Sequence, residues 1–225
     1  MREGTNDSER KDDLGDDLYG GRRPTSHERM AGQPWDVSYH GGRAPWDIGG
    51  PQPAIAQLIA EGAFSGAVLD AGCGTGENAL AIASLGLSVV GVDVAETAVT
   101  MARAKARERG ADAEFVVADA FHLERLRRVF DSVLDCGLFH ALDESERREY
   151  AASLAAVTRA GGSAHLLCFS DVGEELGPHP VSERELRAVF EAHAGWRVVS
   201  IAAERVHTRF HASGAPAWLA KVERV

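Results

Sequence analysis

Residues 67–80, Ala-Val-Leu-Asp-Ala-Gly-Cys-Gly-Thr-Gly-Glu-Asn-Ala-Leu, constrain this chain more than any other stretch. They read as a short buried strand, a tight glycine loop and a helix. Val68 and Leu69 supply the strand. Gly72, Gly74 and Gly76 allow a sharp turn and leave no Cβ between the backbone and a ligand. Ala79, Leu80, Ile82, Ala83 and Leu85 then recur at helical spacing, with Gly86 as a C-terminal stop. A strand feeding a glycine loop and a helix opens a doubly wound, mostly parallel α/β sheet.

The spacing of the glycines selects among ligands. A dinucleotide fingerprint reads G-x-G-x-x-G. Here the third glycine comes one residue early, and Glu77 stands where that pattern wants glycine. A pyrophosphate at this helix N-terminus would meet a carboxylate. The D-x-G-x-G-x-G run from Asp70 to Gly76 instead resembles motif I of the class I S-adenosylmethionine (SAM) dependent methyltransferases. SAM has cationic ammonium and sulfonium groups and no phosphate, so a neighbouring carboxylate is acceptable. The resemblance implies SAM as cofactor, with Asp70, Gly72, Gly74, Gly76 and Asn78 in its binding site. A glycine turn with no ligand is the alternative, opposed by the motifs further along.

The 225 residues make one domain, or one domain and a tail, and a hydrophobic fraction of 44% is ample for a core. A net charge of -10 without any basic run argues against a nucleic-acid partner, whose phosphates need clustered Lys and Arg. No apolar run approaches the length of a membrane span, and the start lacks a signal-peptide apolar region. Cys73, Cys136 and Cys168 form no C-x-x-C pair and read as reduced, buried residues. The expected setting is cytoplasmic, as a monomer or homodimer acting on a small molecule.

Residues 1–33 are polar and carry both signs of charge, so they offer little surface to offset ordering entropy. Disorder is expected there, or order only where the end of the segment docks. Residues 34–53 differ, with Pro34-Trp35-Asp36, Tyr39-His40, Pro45-Trp46-Asp47-Ile48-Gly49 and Pro51-Gln52-Pro53. The P-W-D-x-G-x-P-Q-P stretch resembles a small-molecule branch that includes thiopurine S-methyltransferases, plant-type halide/thiol methyltransferases and actinobacterial enzymes acting on phenolic or quinolone-type heterocycles. In that branch this segment folds over the cofactor. The resemblance places Trp46 near SAM, and Trp35 and Tyr39 with it. The alternative is an arm merely pinned by its tryptophans. Residues 54–225 would be the methyltransferase domain.

Within that domain residues 88–92 form a second strand ending at Asp93, placed either to accept from ribose hydroxyls or to cap the next helix, with Val94 beside it. Residues 114–118 form the third, followed by Asp119-Ala120-Phe121, which match the pair that holds adenine in the family. Residues 130–137 form the fourth. Ligands sit outside the carboxyl ends of such strands, so Asp135, Leu138, Phe139 and His140 should face the methyl group or the acceptor. His140 is a candidate general base, or a histidine that only packs beside the cofactor.

Asp143 with Glu146 and Ser182 with Glu185 read as capping boxes, and the first of these helices should run to about residue 160, ending at Gly161-Gly162. Residues 163–169 form the fifth strand. The loop 172–180 carries His179 and suggests substrate selection. Residues 196–203 and 217–222 would be the antiparallel end of a seven-stranded sheet. Between them His207, Arg209, Phe210 and His211 either line the acceptor pocket or form a solvated hairpin. His207 and His211 lack cysteine or carboxylate partners at metal-ligand spacing, so no metal is expected.

The expected activity is methyl transfer from SAM to an O, N or S atom of a small phenolic or heterocyclic acceptor by in-line displacement. A thiol or halide acceptor is the alternative within the class. An NAD(P) oxidoreductase and a non-enzymatic SAM-binding protein are the alternatives outside it.

Overall fold

A computed structural model describes residues 18–173, 179–211 and 213–225. Seven strands lie in one sheet: β1 (Ala67–Ala71), β2 (Ser88–Asp93), β3 (Ala113–Val117), β4 (Phe130–Cys136), β5 (Thr158–Phe169), β6 (Trp196–Val206) and β7 (Ala215–Arg224). Their order is β3-β2-β1-β4-β5-β7-β6. The first five are parallel, and β7 runs antiparallel between β5 and β6. β1 is an interior strand buried on both faces, hence its small and apolar residues, with Asp70 as the one polar exception. The strand order reverses between β1 and β4, which opens a crevice at their carboxyl ends.

Helices cover both faces: α3 (Pro53–Ala60), α4 (Glu77–Ala83), α5 (Glu96–Arg109), α6 (Glu144–Val157) and α7 (Glu183–Val189). Two buried clusters result. One packs Leu69, Val133, Phe139, Tyr150, Leu154, Phe190 and Trp196 on one side. The other packs Ile55, Val68, Leu80, Ile82, Val99 and Phe115 on the opposite side.

The sixth helix stops earlier than its sequence pattern predicts. Thr158 is already extended, its Oγ1 donates to Leu154 O, and it pairs with Phe130, so β5 begins before the two glycines rather than after them. Gly161 and Gly162 lie in the strand, opposite a register shift between Phe130 and Ser132.

Two short helices precede the domain, α1 (Ser26–Ala31) and α2 (Val37–His40). Thr25 and Glu28 form a capping box on α1. Glu28 is fully buried and gathers Arg22, the Thr25 N–H and the Trp35 N–H. Ser26 N–H donates to Glu146, and Arg29 pairs with Glu146 and Asp143. The segment from residue 18 onward therefore sits on the start of α6, and the expectation for residues 1–17 lies outside the described residues.

Glu28→Ala leaves the half-buried Arg22 without its partner and two N–H groups without an acceptor. A loss of about 3 kcal/mol is expected, measured as a lower midpoint in denaturant unfolding and faster proteolysis ahead of residue 36.

Candidate active site

The glycine loop folds back on β2. Gly72 N–H and Cys73 N–H both donate to Val92 O at 2.9 Å, and Gly74 N–H donates to Asp93 Oδ2 at 2.8 Å. Asp93 Oδ1 accepts from Ala95 N–H at 2.9 Å. Burial pushes the Asp93 carboxyl up, while these N–H groups pull it back toward the ionised form. Two of the glycines admit nothing larger. Gly76 has φ +84, and a Cβ there would lie 2.7 Å from the Phe115 ring. Gly74 has φ +51, and a Cβ would lie 3.1 Å from the Tyr39 hydroxyl.

The loop floors a cavity of about 500 Å³. Gly72, Gly74, Asn78, Asp93, Val94, Asp119, Ala120 and Phe121 line it, as do Trp35, Tyr39 and Trp46. Gly76 lies beneath, at the start of α4. Trp46 Nε1 donates to the Tyr39 hydroxyl at 3.0 Å, and its ring meets Trp35 and Tyr39 edge-on at 5.5 and 6.0 Å. The arm carrying these aromatics is fastened at three places. Asp36 accepts from Thr97 N–H and Oγ1 at the start of α5. Asp47 Oδ2 accepts from Thr75 Oγ1 at 2.7 Å within the glycine loop. Gln52 N–H donates to Asn78, and the Gln52 amide exchanges two hydrogen bonds with the backbone of His207.

At the far wall the chain turns after β4. Asp135 accepts from Leu138 N–H at 3.0 Å and Phe139 N–H at 3.3 Å, which presents Leu138 and His140 to the cavity. His140 stands 4.5 Å from the Phe169 ring, and Phe169 lies 6.2 Å from His211. Phe210 lies at the wall with most of its surface exposed. Burial pushes the His140 imidazole down to about 3, with Arg147, His27 and His179 adding repulsion. Burial raises the Cys73 and Cys136 thiols, which removes them as nucleophiles at neutral pH.

Several expected residues stand elsewhere. Asp70 and Asp135 are buried beneath the loop and do not line the cavity; Asp135 supports the turn after β4 that does. Phe139 is turned into the core against Phe190, because a 3₁₀ turn at residues 139–141 sends only its neighbour outward. His179 lies behind the wall, its carbonyl accepting from buried Arg147. Arg209 reaches away to Arg43 O, while its N–H donates to Pro45 O, so it latches the hairpin to the arm. Conversely Arg22, Thr25 and His27 line the cavity from the segment that was expected to be tail. Their sequence signal was the Thr25-x-x-Glu28 capping box. Asp47, Gln52 and Phe169 also line it.

The charge of the wall suits a cation. Asp47, Glu77, Asp93 and Asp119 contribute carboxylates, and the flanking cations are already paired, Lys105 and Arg109 with Glu77 and Arg22 with Glu28. A ligand with hydroxyls, an aromatic base and positive groups fits this donor set, which offers no free cationic cluster to a pyrophosphate. Among the described residues no group of His, Cys, Asp or Glu could hold a metal ion, and no helix is long and apolar enough to cross a membrane.

Gly74→Ala should weaken binding of S-adenosylhomocysteine at least tenfold in a calorimetric titration, because the new methyl meets Tyr39 and the backbone is left-handed. Buried Asp70 and Asp135 have carboxyls raised to about 8 and about 6 by burial, Asp70 also by the repulsion of Asp135 and Asp93. The folded state then holds protons that the unfolded chain releases above about pH 4. Stability should fall as pH rises, from about 4 to 6 through Asp135 and from about 4 to 8 through Asp70, by up to about 1.4 kcal/mol per unit for each group within its own window. Asp70→Asn should flatten that fall in a pH series of denaturant unfolding curves.

Comparison with known proteins gives concordant matches. A family model described as a methyltransferase domain matches residues 68–162. The 2-heptyl-1-hydroxyquinolin-4(1H)-one methyltransferase of Mycobacteroides abscessus is 35% identical over 204 residues, covering 89% of this chain and 83% of its own. A probable thiol methyltransferase 2 of Arabidopsis thaliana is 33% identical over 172 residues, covering 74% and 75%. A solved structure described by the conversion of a disulfide bond into a thioacetal group during echinomycin biosynthesis superposes with a TM-score of 0.76. It is 39% identical and covers 84% of this chain and 91% of that one.

Proposed function

The chain belongs to the SAM-dependent methyltransferases, and from that premise we propose how its cavity divides between cofactor and acceptor. The glycine loop, Asp93 and Asp119 hold the adenosine part of SAM, with the Asp93 carboxylate toward the ribose hydroxyls and Asp119 toward the adenine amine. Asp93 spends one lone pair of each oxygen and Asp119 one lone pair of a single oxygen on backbone N–H groups, and a carboxylate has others to offer. Trp46, Tyr39 and Trp35 cover the cationic end. SAM supplies an electrophilic methyl on its sulfonium. The protein's own part is to hold two reactants in line and keep water out, and such orientation is worth roughly 7–11 kcal/mol in favourable cases.

The acceptor subsite is the wall of Leu138, His140, Phe169, Phe210 and His211. The single observation behind this is the run of rings His140–Phe169–His211, continuous with the floor that takes the cofactor. Rings of this kind favour a planar aromatic acceptor, stacked or edge-on. We therefore favour an O, N or S atom on a phenolic or heterocyclic small molecule, in keeping with the quinolone- and thiol-directed relatives. The net charge of -10 supports a small-molecule partner over nucleic acid, and the free cysteines support a cytoplasmic setting.

The test is a methylation assay across hydroxyquinolones, phenols, aromatic thiols and halides, with radioactive SAM. Turnover of planar aromatic acceptors well above halide is expected; turnover of halide alone would contradict the subsite. Phe169→Ala should raise the acceptor KM about tenfold and leave the affinity for S-adenosylhomocysteine within twofold. Trp46→Ala should do the reverse, weakening the cofactor by about 0.5–2 kcal/mol as read by calorimetry.

A further inference from the structure

We infer that His140 is locked as the tautomer with its proton on Nε2, and so serves as a hydrogen-bond donor that positions an acceptor arriving already deprotonated, rather than as the base that deprotonates it. The inference rests on the acceptor subsite proposed above.

The lock is one hydrogen bond. Phe169 N–H, at the end of β5, donates to His140 Nδ1 at 3.2 Å. A nitrogen that accepts carries no proton, so the neutral ring holds its proton on the other nitrogen. Moving the proton to Nδ1 would set two N–H groups against each other inside a buried contact. Nδ1 is thus consumed by the strand, and Nε2 is the nitrogen left for the cavity that the ring lines. With Nε2 already protonated, the ring could act as a base only by taking a proton on Nδ1, against the Phe169 N–H, and becoming an imidazolium. Its surroundings oppose that charge: Arg147 from α6, His27 from α1 and His179 from the loop after β5 all face it, and the ring is almost wholly buried.

The other groups on the wall are poor replacements: Asp93 and Asp119 accept from backbone N–H groups, and His27, whose Nδ1 has no hydrogen-bond partner, has its imidazole lowered by burial and by His179. Asp47 is taken by Thr75 and Gly49, Glu77 by Lys105 and Arg109, and the Tyr39 hydroxyl by Trp46. His211 Nδ1 is engaged with Thr208 at 2.9 Å. A wall with these commitments suits acceptors acidic enough to bind as anions, such as aromatic thiolates, acidic phenolates and N-hydroxy heterocycles. In the transfer the anion's lone pair forms the new bond to the methyl carbon, the carbon–sulfur bond of the sulfonium breaks, and no proton moves. The Nε2–H holds the attacking atom or an oxygen beside it and favours the anionic form.

The first readout is nitrogen NMR of the whole chain labelled with ¹⁵N-histidine and saturated with S-adenosylhomocysteine. The His140 ring should show protonated Nε2 and bare Nδ1, unchanged between pH 5 and 8. A proton on Nδ1, or a titration inside that range, would overturn the inference. The second is kcat/KM against pH for a series of phenols and thiophenols of graded acidity. The break should move with each acceptor's own pKa, His140→Ala should lower kcat/KM about tenfold or more without removing the break, and His140→Gln, which keeps a donor, should recover part of the loss. A break fixed at one pH for every acceptor and lost in His140→Ala would make His140 the base and sink the inference. If the NMR holds but no acceptor in the series is turned over, the assigned subsite is at fault and the positioning role falls with it, while the tautomer stands.

Discussion

Everything in this active site hangs on the contact between the glycine loop and the end of β2. Two loop N–H groups share the Val92 carbonyl and a third goes to Asp93. That arrangement brings backbone to the mouth of the sheet at the point where strand order reverses, so the cavity forms there and not along a strand edge. Space is set by the same contact. Phe115 fills the room behind Gly76, and Tyr39 comes over Gly74 because no side chain stops it. Beneath lie two buried carboxyls, Asp70 raised to about 8 and Asp135 raised to about 6 by burial, and the turn after β4 rests on the hydrogen bonds that Asp135 accepts from its N–H groups.

The second layer is built by the chain ahead of the sheet. Arm and hairpin close the mouth together, through the Gln52 amide on His207 and the Arg209 backbone on Pro45. Asp47 ties the arm to Thr75 inside the loop. The capped helix before it brings His27 flat against Trp35 at 4.5 Å. The aromatic cover is thereby fixed from two ends, which gives a cationic ligand a dry, electron-rich wall, and the rings do not have to be gathered at the moment of binding.

Much of this was legible in the sequence, for identifiable reasons. The strand–loop–helix unit is local: its glycines and its helical periodicity sit within twenty residues, and the seven-stranded sheet with its antiparallel end is read from the family resemblance and the strand-like runs that follow. The acidic residues closing β2 and β3 were legible because strand ends are marked by the loss of apolar residues. What was hidden depended on distant partners. The docking of Arg22, Thr25 and His27 relies on Glu146, which lies more than a hundred residues away, and the Thr25-x-x-Glu28 capping box announces a helix but not where it docks. Phe139 and His140 are neighbours in sequence with opposite fates, decided by a 3₁₀ turn that Asp135 pins. Likewise the pairing of Thr158 with Phe130 ended a helix that periodicity alone would have carried on to the glycines. The tautomer of His140 is set by a backbone N–H on another strand, which no spacing rule reports.

The central claim is that the glycine loop and its carboxylates are built for a cationic adenosyl ligand. Calorimetric titration of the whole chain with SAM, S-adenosylhomocysteine and NAD tests it most directly. One-to-one binding of the first two with no heat from NAD is the predicted result. Heat from NAD with silence from SAM would contradict the account of the loop and of the subsite built beside it.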